Sequence, residues 1–166
     1  MHKTLSDLAQ YCRHILQETP QGDGLAKIAA HLQTILANPE NIETLIPDGT
    51  GERDLLYEDP DLGFCILAHS FDGAKTSPPH DHGPSWAIYA QARGETEMRD
   101  YEIITPATTT VAGTVKLCKA YRLTPGDVHV YQIGDLHSPS RDAPTSLLRI
   151  EGTDMSKVKR LRYEIA

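Results

Sequence analysis

The stretch Ser77-Pro78-Pro79-His80-Asp81-His82-Gly83 is the most informative part of this 166-residue sequence. On a β-strand, residues two apart point to the same side, so His80 and His82 are expected to aim at one point while Asp81 aims away. Two imidazoles that converge in this way provide half of a site for a first-row metal ion. We therefore expect His80 and His82 to bind a metal, and we do not count Asp81 as a ligand.

A third ligand has to come from a distant part of the chain. The candidates are His69, His129 and His137. The last two flank a turn, in the stretch that runs from Pro125-Gly126-Asp127 to Gly134-Asp135-Leu136-His137. The residue pattern alone leaves the choice among the three histidines open.

From about residue 52 the sequence predicts many short strands. Apolar and β-branched runs alternate with Gly, Pro and Asp, which is the pattern of strands separated by turns. We expect strands at 53–58, 62–70, 79–92, 95–104, 108–112, 114–123, 127–133 and 145–151. Many short strands with regular turn signals are typical of an all-β sandwich or barrel.

The N-terminal part of the chain predicts helices instead. Apolar residues recur at helical spacing in segments 5–16 and 25–36, and a short third helix is expected at 39–45. The segment Gln21-Gly22-Asp23-Gly24 separates the first two helices, and Asn38-Pro39 ends the second. We therefore divide the chain into a helical region, 1–48, packed on a β-barrel domain, 49–166.

The composition excludes several classes of protein. Hydrophobic residues make up 39% of the chain, which is enough for one core, and no apolar run approaches the roughly 20 residues of a membrane helix. A net charge of -7 argues against nucleic acid as a partner. No signal-peptide core is evident, so we expect a cytoplasmic protein without a membrane partner. The basic run at 157–162 is expected to be a solvated segment.

The cysteines indicate neither a disulfide framework nor a thiolate zinc site. There are three of them, Cys12, Cys65 and Cys118, and they are far apart in the sequence. Cys65 lies in an apolar run and is expected to be a buried thiol.

The two histidine-containing stretches resemble the two sequence motifs of the cupin superfamily. The segment from Gly73 to Gly94 is similar to the first motif, and the segment from Pro125 to His137 is similar to the second. Within cupins the sequence most resembles the thiol dioxygenases, meaning cysteine dioxygenase and 3-mercaptopropionate dioxygenase. Their signature is His-Asp-His with a glycine twelve residues after the second histidine, and Gly94 follows His82 at that distance.

The resemblance implies a fold and a set of metal ligands. The family's third histidine lies some fifty residues after the second; His137 follows His82 at a comparable separation, and His129 fits less well. The implied fold is a double-stranded β-helix, the cupin or jelly-roll barrel, with an N-terminal helical region. The implied ligands are His80, His82 and His137.

An absent carboxylate narrows the resemblance further. General cupins place a glutamate ligand after the histidine pair with three or four residues in between, where this chain has Trp86 and Ala87. Thiol dioxygenases lack this glutamate too. The resemblance therefore implies iron(II), with Ni, Mn, Zn or Co as alternatives. The implied reaction adds both atoms of O2 to the sulfur of a small carboxylate-bearing thiol and yields a sulfinate.

Two residues are predicted to bind the substrate. The family has an arginine upstream of the histidine pair that holds the substrate carboxylate, and Arg53 precedes His80 by close to the expected distance. A guanidinium suits this role because its planar fork donates two parallel hydrogen bonds; the alternative is an exposed Arg53 paired with Glu52 or Asp54. Tyr89 is expected on an inward face, where its hydroxyl would hydrogen-bond the bound oxygen or the substrate; the alternative is ordinary barrel packing.

One departure from the family bears on the substrate. Cysteine dioxygenases carry a Ser-His-Tyr relay on a late strand, and the matching positions here are Ser146, Leu148 and Ile150. Arg149, in a shifted register, or Tyr131 is the candidate replacement. The alternative functions are a metal-dependent cupin enzyme with a non-thiol substrate and a non-catalytic metal-binding or small-molecule-binding cupin. Many cupins pair through an outer sheet, so a homodimer is compatible with the resemblance.

Overall fold

The computed structural model describes residues 2–166, which form three helices followed by ten strands. The helices are α1 (Lys3–Glu18), α2 (Asp23–Leu36) and α3 (Pro39–Leu45). The first five strands are β1 (Asp54–Glu58), β2 (Cys65–Phe71), β3 (Lys75–Thr76), β4 (Ala87–Arg93) and β5 (Thr96–Thr105). The others are β6 (Gly113–Leu123), β7 (Val128–Tyr131), β8 (Leu136–Arg141), β9 (Thr145–Glu151) and β10 (Tyr163–Ile165).

The strands form two five-stranded sheets, which we call the first and the second sheet. The order in the first is β1-β2-β9-β4-β7, and the order in the second is β10-β6-β5-β8-β3. Within them, β2 to β9 occupy the positions of an eight-stranded double Greek key, which is the jelly-roll arrangement of cupins. The fold is therefore a double-stranded β-helix with N-terminal helices, as the sequence predicted.

The helices bury the outer face of the first sheet. Their apolar stripes include Leu8, Leu25 and Leu32, all fully buried, because these residues recur at helical spacing. The strand residues in the same core are Ile66, Ala68, Ile88, Ala90, Leu148 and Ile150. The helical region and the barrel thus share one hydrophobic core, and the predicted boundary after residue 48 lies in the connection between α3 and β1.

Several sequence expectations differ from the structure. The strand predicted at 79–92 begins only at Ala87, so His82 is not in a strand and His80 forms an isolated bridge. Gly83, with a φ of +56°, and Pro84, which lacks an amide donor, interrupt the segment.

Segment 108–112 is a loop, because the Thr108 hydroxyl accepts a hydrogen bond from the Val111 amide at 3.0 Å and closes a turn. Strand β8 was not predicted, because its serines and Pro139 favour turns. The basic run 157–162 is only partly solvated, since Arg160 and Leu161 are half-buried and Lys157, Lys159 and Arg162 are exposed.

The remaining expectations concern cysteines and membrane helices. Cys12 and Cys65 are buried free thiols, and Cys118 is exposed. The prediction of a buried Cys65 is therefore confirmed. Among residues 2–166, no helix has the length and apolarity that crossing a membrane requires.

Candidate metal centre

Three histidines meet at one end of the barrel interior. Each of His80, His82 and His137 offers one ring nitrogen, and these nitrogens all lie within 4.8 Å of one another. His80 and His137 form an isolated antiparallel bridge, in which each backbone amide donates to the other carbonyl at 2.9 Å. Such a pair places its two side chains next to each other on one face. The three-histidine group suggests a metal-binding site.

The orientation of the rings fits a metal bound through Nε2 atoms. Nδ1 of His80 lies 2.9 Å from the carbonyl oxygen of Pro78, so this nitrogen carries the proton and Nε2 is left with its lone pair. Nε2 of His82 and Nε2 of His137 lie 3.3 and 3.4 Å from the hydroxyl of Tyr89. The Tyr89 hydroxyl therefore lies beside the point at which the ligand nitrogens converge.

The three imidazoles are held in the neutral form that binds metals. Burial lowers the pKa of His80 to about 4. It also lowers the pKa of His82 and His137 far below the usual value, with a further contribution from the neighbouring histidines. A neutral imidazole needs no deprotonation before it coordinates a cation. Three neutral nitrogen donors without a carboxylate fit a divalent first-row metal.

The other two candidates for the third ligand lie elsewhere. His69 is buried, and its Nδ1 lies 2.6 Å from the carbonyl oxygen of Glu52. His129 is half-buried, and its Nε2 lies 3.1 Å from the hydroxyl of Tyr121. Of the three candidates, the structure brings only His137 next to His80 and His82.

Gly94, the glycine of the first motif, lies in the turn between β4 and β5. Gly94 follows β4 with a φ of +66°, and a Cβ at this position would lie 2.4 Å from the carbonyl oxygen of Pro144. Only glycine combines this backbone conformation with so close a backbone approach. The glycine twelve residues after His82 therefore has a steric function in closing the turn against the β8–β9 connection.

The candidate relay positions on β9 divide between two faces. Leu148 and Ile150 point outward into the core shared with the helices. Arg149 points inward, opposite Tyr89 in the register, with its guanidinium carbon 5.8 Å from the centre of the Tyr89 ring. The residue that faces the site is thus Arg149, in the register shifted by one. Tyr131 also lies at the site, where its ring stacks on that of His137 with centroids 3.9 Å apart.

A cavity of about 720 Å³ opens beside His80 and Tyr89. Its lining is strongly basic. The cationic residues are Arg53, Lys75, Arg141, Arg149, Arg160 and Arg162. Lys75 pairs with Glu52, and Arg149 lies 3.0 Å from a carboxylate oxygen of Glu151. Arg141 and Arg160 have no carboxylate within 4.0 Å in the described part of the chain. Such a cavity favours an anionic ligand.

Arg53 lies at the edge of this cavity and is already engaged. Its Nη2 donates to Glu151 at 2.9 Å and to Asp154 at 2.7 Å. The alternative partners considered from the sequence, Glu52 and Asp54, are not the ones it contacts. About a third of the Arg53 side chain is exposed, and its hydrogen bonds to residues 2–166 all use Nη2. Its Nη1 and Nε are therefore available to a ligand.

Sequence reasoning missed two arginines of the cavity, Arg141 and Arg160, and it missed Glu151, which lies beside His82. Arg141 shares a strand with His137 and is four residues away, so the two lie on one face. Recognising β8 as a strand in the sequence would therefore have indicated Arg141. Arg160 comes from the basic run that was expected to be solvated, and nothing in the sequence places that run against the barrel. Glu151 is fully buried, and its Oε2 is 3.9 Å from Nδ1 of His82.

Comparisons with known proteins do not assign a function to this chain. No protein-family model matches this sequence, and no curated protein is significantly similar to it. Among solved structures, a cupin superfamily protein from Desulfitobacterium hafniense is 15% identical, with 61% of this chain and 76% of that chain covered and a TM-score of 0.45. KdgF from Halomonas sp. is 19% identical, with 60% and 76% covered and a TM-score of 0.44.

A third solved structure covers more of the chain. A cupin-2 domain containing protein from Shewanella frigidimarina is 14% identical, with 72% of this chain and 96% of that chain covered and a TM-score of 0.44. The identities and TM-scores of all three are too low to indicate a shared function. The fold is therefore assigned from the strand order, and no function is transferred from these proteins.

Proposed function

We propose that this protein is an iron(II)-dependent thiol dioxygenase-like enzyme that adds both atoms of O2 to the sulfur of a small carboxylate-bearing thiol and releases a sulfinate. The observation that carries the proposal is the three-histidine group, of which His80 lines a basic cavity. The donor set holds three neutral imidazoles and no carboxylate, as in the resemblance drawn from His80, His82 and His137.

The donor set is compatible with iron and does not select it over other first-row metals. Imidazole ligands suit iron, zinc, copper and nickel, whereas magnesium and calcium prefer oxygen donors. Three neutral ligands leave a divalent cation its full charge, which favours binding of an anionic thiolate. When bound, iron(II) would supply the redox chemistry that transfers oxygen to sulfur. The preference for iron over nickel, manganese, zinc or cobalt comes from the resemblance and is part of the proposal.

The residues of the chain would orient the substrate and select for its charge. Arg53 would donate from Nη1 to the substrate carboxylate while Nη2 keeps its bonds to Glu151 and Asp154. The Tyr89 hydroxyl, beside Nε2 of His82 and His137, would donate a hydrogen bond to the reacting end of the substrate. The surrounding arginines would favour an anion over a neutral thiol.

Metal analysis combined with oxygen uptake tests the proposal. The purified protein is loaded with iron anaerobically and then mixed with cysteine, 3-mercaptopropionate or cysteamine in oxygenated buffer. We expect about one iron per chain and stoichiometric oxygen uptake with a carboxylate-bearing thiol. Cysteamine is the matched control, because it has the thiol and lacks the carboxylate. Equal uptake with cysteamine would contradict the roles of Arg53 and the basic cavity.

A negative result would point to a second function. Bound metal without oxygen uptake from any of the three thiols would contradict the dioxygenase proposal. The basic cavity beside the histidines would then favour another metal-dependent cupin enzyme with an anionic, non-thiol substrate, or a protein that binds such an anion without catalysis. Mass spectrometry of an anion that copurifies with the protein would distinguish these two functions from a thiol-specific site, because the anion would contain no thiol.

A further inference from the structure

A second group of polar residues lies along the cavity, away from the histidine centre. His69 and Phe71 are on the inner face of β2, and Arg141 ends β8. Arg141 and His137 are four residues apart on one strand, so their Cα atoms are about 13 Å apart at the usual rise per residue. We call His69, Phe71 and Arg141 the distal group. None of these three residues contributes a nitrogen to the three-histidine centre.

Arg141 is a buried cation without a counter-ion. It is 4% exposed, and its guanidinium carbon lies 4.1 Å from the centre of the Phe71 ring. Its Nε is buried and has no hydrogen-bond partner, and no carboxylate of residues 2–166 lies within 4.0 Å of the guanidinium. An arginine remains charged in proteins, and a buried charge without a partner is costly. The aromatic contact offsets part of this cost. An anion that accepts hydrogen bonds from the N–H groups of Arg141 would offset the rest.

His69 offers the complementary group, an unpaired acceptor. Its Nδ1 lies 2.6 Å from the Glu52 carbonyl oxygen, which only accepts, so Nδ1 carries the proton and Nε2 has the lone pair. Nε2 is buried and has no partner among the described residues. Burial, with the charge of Arg149, holds the His69 pKa well below its usual value, so the ring stays neutral. Nε2 of His69 can therefore accept a hydrogen bond from an O–H or N–H group of a ligand.

Phe71 connects the donor and the acceptor. Its ring is nearly parallel to the His69 ring, with centroids 6.1 Å apart, and the Arg141 guanidinium covers the same phenyl ring. All three residues line the cavity. A single ligand in this cavity can therefore place an anionic group on Arg141 and a hydrogen-bond donor on Nε2 of His69.

We propose that the distal group is a subsite for a carboxylate that carries an O–H or N–H donor on the adjacent carbon. The carboxylate accepts from Arg141, and the donor bonds to Nε2 of His69. This deepens the proposed function and rests on it for the identity of the reacting end. The substrate class is then a thiol with two acidic groups. One is the carboxylate held by Arg53, and the other is a hydroxy acid or an amide-bearing acid at the distal end.

Binding of small probes to the metal-free protein tests the subsite by itself. The protein is kept in EDTA and titrated with lactate, propionate and lactamide, and the dissociation constants are measured by ligand-observed NMR. Lactate has the anion and the donor, propionate lacks the hydroxyl, and lactamide lacks the charge. We expect lactate to bind about fivefold more tightly than propionate. Lactamide should bind at least about tenfold more weakly than lactate.

Substitutions assign the two interactions. Arg141→Gln should weaken lactate and propionate binding by about tenfold or more. His69→Phe should remove the preference for lactate over propionate and leave propionate binding unchanged. Arg122→Gln, an exposed arginine paired with Glu95 outside the cavity, is the matched control and should bind lactate as the wild type does. If Arg141→Gln does not fold, Arg141→Lys keeps the charge without the planar fork and should bind lactate several-fold more weakly.

Three results would overturn the subsite. The first is the absence of saturable lactate binding to the folded wild-type protein, and the second is unchanged lactate affinity in the Arg141 variants. His82→Ala should bind lactate normally; a loss of affinity there would move the anion to the histidine centre and also contradict the proposal. Because no metal or thiol is present, these outcomes are independent of the oxygen-uptake experiment, so failure of one proposal is distinguishable from failure of the other.

Discussion

The two faces of the first sheet come from the same strands and serve opposite purposes. On β9, Leu148 and Ile150 point outward and are fully buried under the helices. Their neighbours Arg149 and Glu151 point inward, toward the cavity and the histidines. Alternation along the strand thus separates a core that stabilises the fold from a polar wall beside the cavity and the histidines.

The inner wall holds buried polar atoms without partners, whereas the outer face is packed with apolar side chains. The atoms without partners include Nδ1 of His82, Nε2 of His69 and Nε of Arg141. Groups of this kind reduce stability unless a ligand satisfies them. A substitution on the outer face should therefore change the free energy of unfolding, and one on the inner face should chiefly change binding.

The largest expected effect is inside the barrel, with His82→Ala; His82 is a residue of the loop before β4. Removal of one of three ligand nitrogens should abolish metal retention and leave the fold intact. Metal content after loading and dialysis, together with circular dichroism, measures both effects. His129→Ala is the control, because His129 lies outside the three-histidine group, and it should retain the metal. A full equivalent of metal in His82→Ala would show that the site is elsewhere.

On the outer face, Ile150→Ala should lower the free energy of unfolding by about 2–5 kcal/mol, because it leaves a cavity in a fully buried position. Urea unfolding of the metal-free protein measures the change. The folded variant should still bind one metal ion per chain. A loss of metal binding with little change in stability would contradict the separation of the two faces.

At the edge of the cavity, Arg53→Ala should weaken the apparent affinity for a carboxylate-bearing thiol by about tenfold, since it removes a charged hydrogen bond. Metal content should not change. The comparison is Arg93→Ala, a partly exposed arginine whose carboxylate partner is Glu43 on α3. If steady-state kinetics show the same affinity in both variants, Arg53 does not bind the substrate.

The smallest effect concerns the pH dependence of stability. Burial by itself would raise the pKa of Asp154, but hydrogen bonds from Ser156 and Arg53 outweigh it and lower the pKa to about 2. A lowered pKa in the folded state stabilises the protein above the ordinary value near 3.8, and this contribution is lost as the pH falls toward 2. Asp154→Asn should therefore flatten the loss of stability between pH 4 and pH 2 in acid unfolding curves. An unchanged slope would contradict the assignment.

The parts of the fold that follow from local pattern could be predicted, and those that depend on register could not. The third helix was expected at 39–45 and is found there, because Asn38 caps it and Pro39 begins it. His80 and His82 were paired by their spacing. The positions matched to the relay on β9, Leu148 and Ile150, proved to lie on the outward face. A difference of one residue in register exchanges the two faces of a strand, so the inward residue is Arg149.

The cavity residues that the sequence did not predict come from segments that are far apart in the chain. His69 and Arg141 are far apart in the sequence and line one cavity only because β2 of the first sheet and β8 of the second sheet both border it. The metal identity, the substrate, the cytoplasmic location, the absence of nucleic-acid and membrane partners and the homodimer stay predictions. Each depends on molecules or surfaces outside a single chain.

The segment that follows β9 has a practical consequence for handling the protein. Residues 155–164 form one side of the cavity, and β10 holds this wall in place by parallel pairing with β6. Lys157 and Lys159 are exposed within the wall, so trypsin has access to it. A single nick there would release the wall while the helices and the shared core stay folded. Preparations that lose ligand affinity on storage should therefore be checked by intact mass spectrometry before the loss is attributed to any residue.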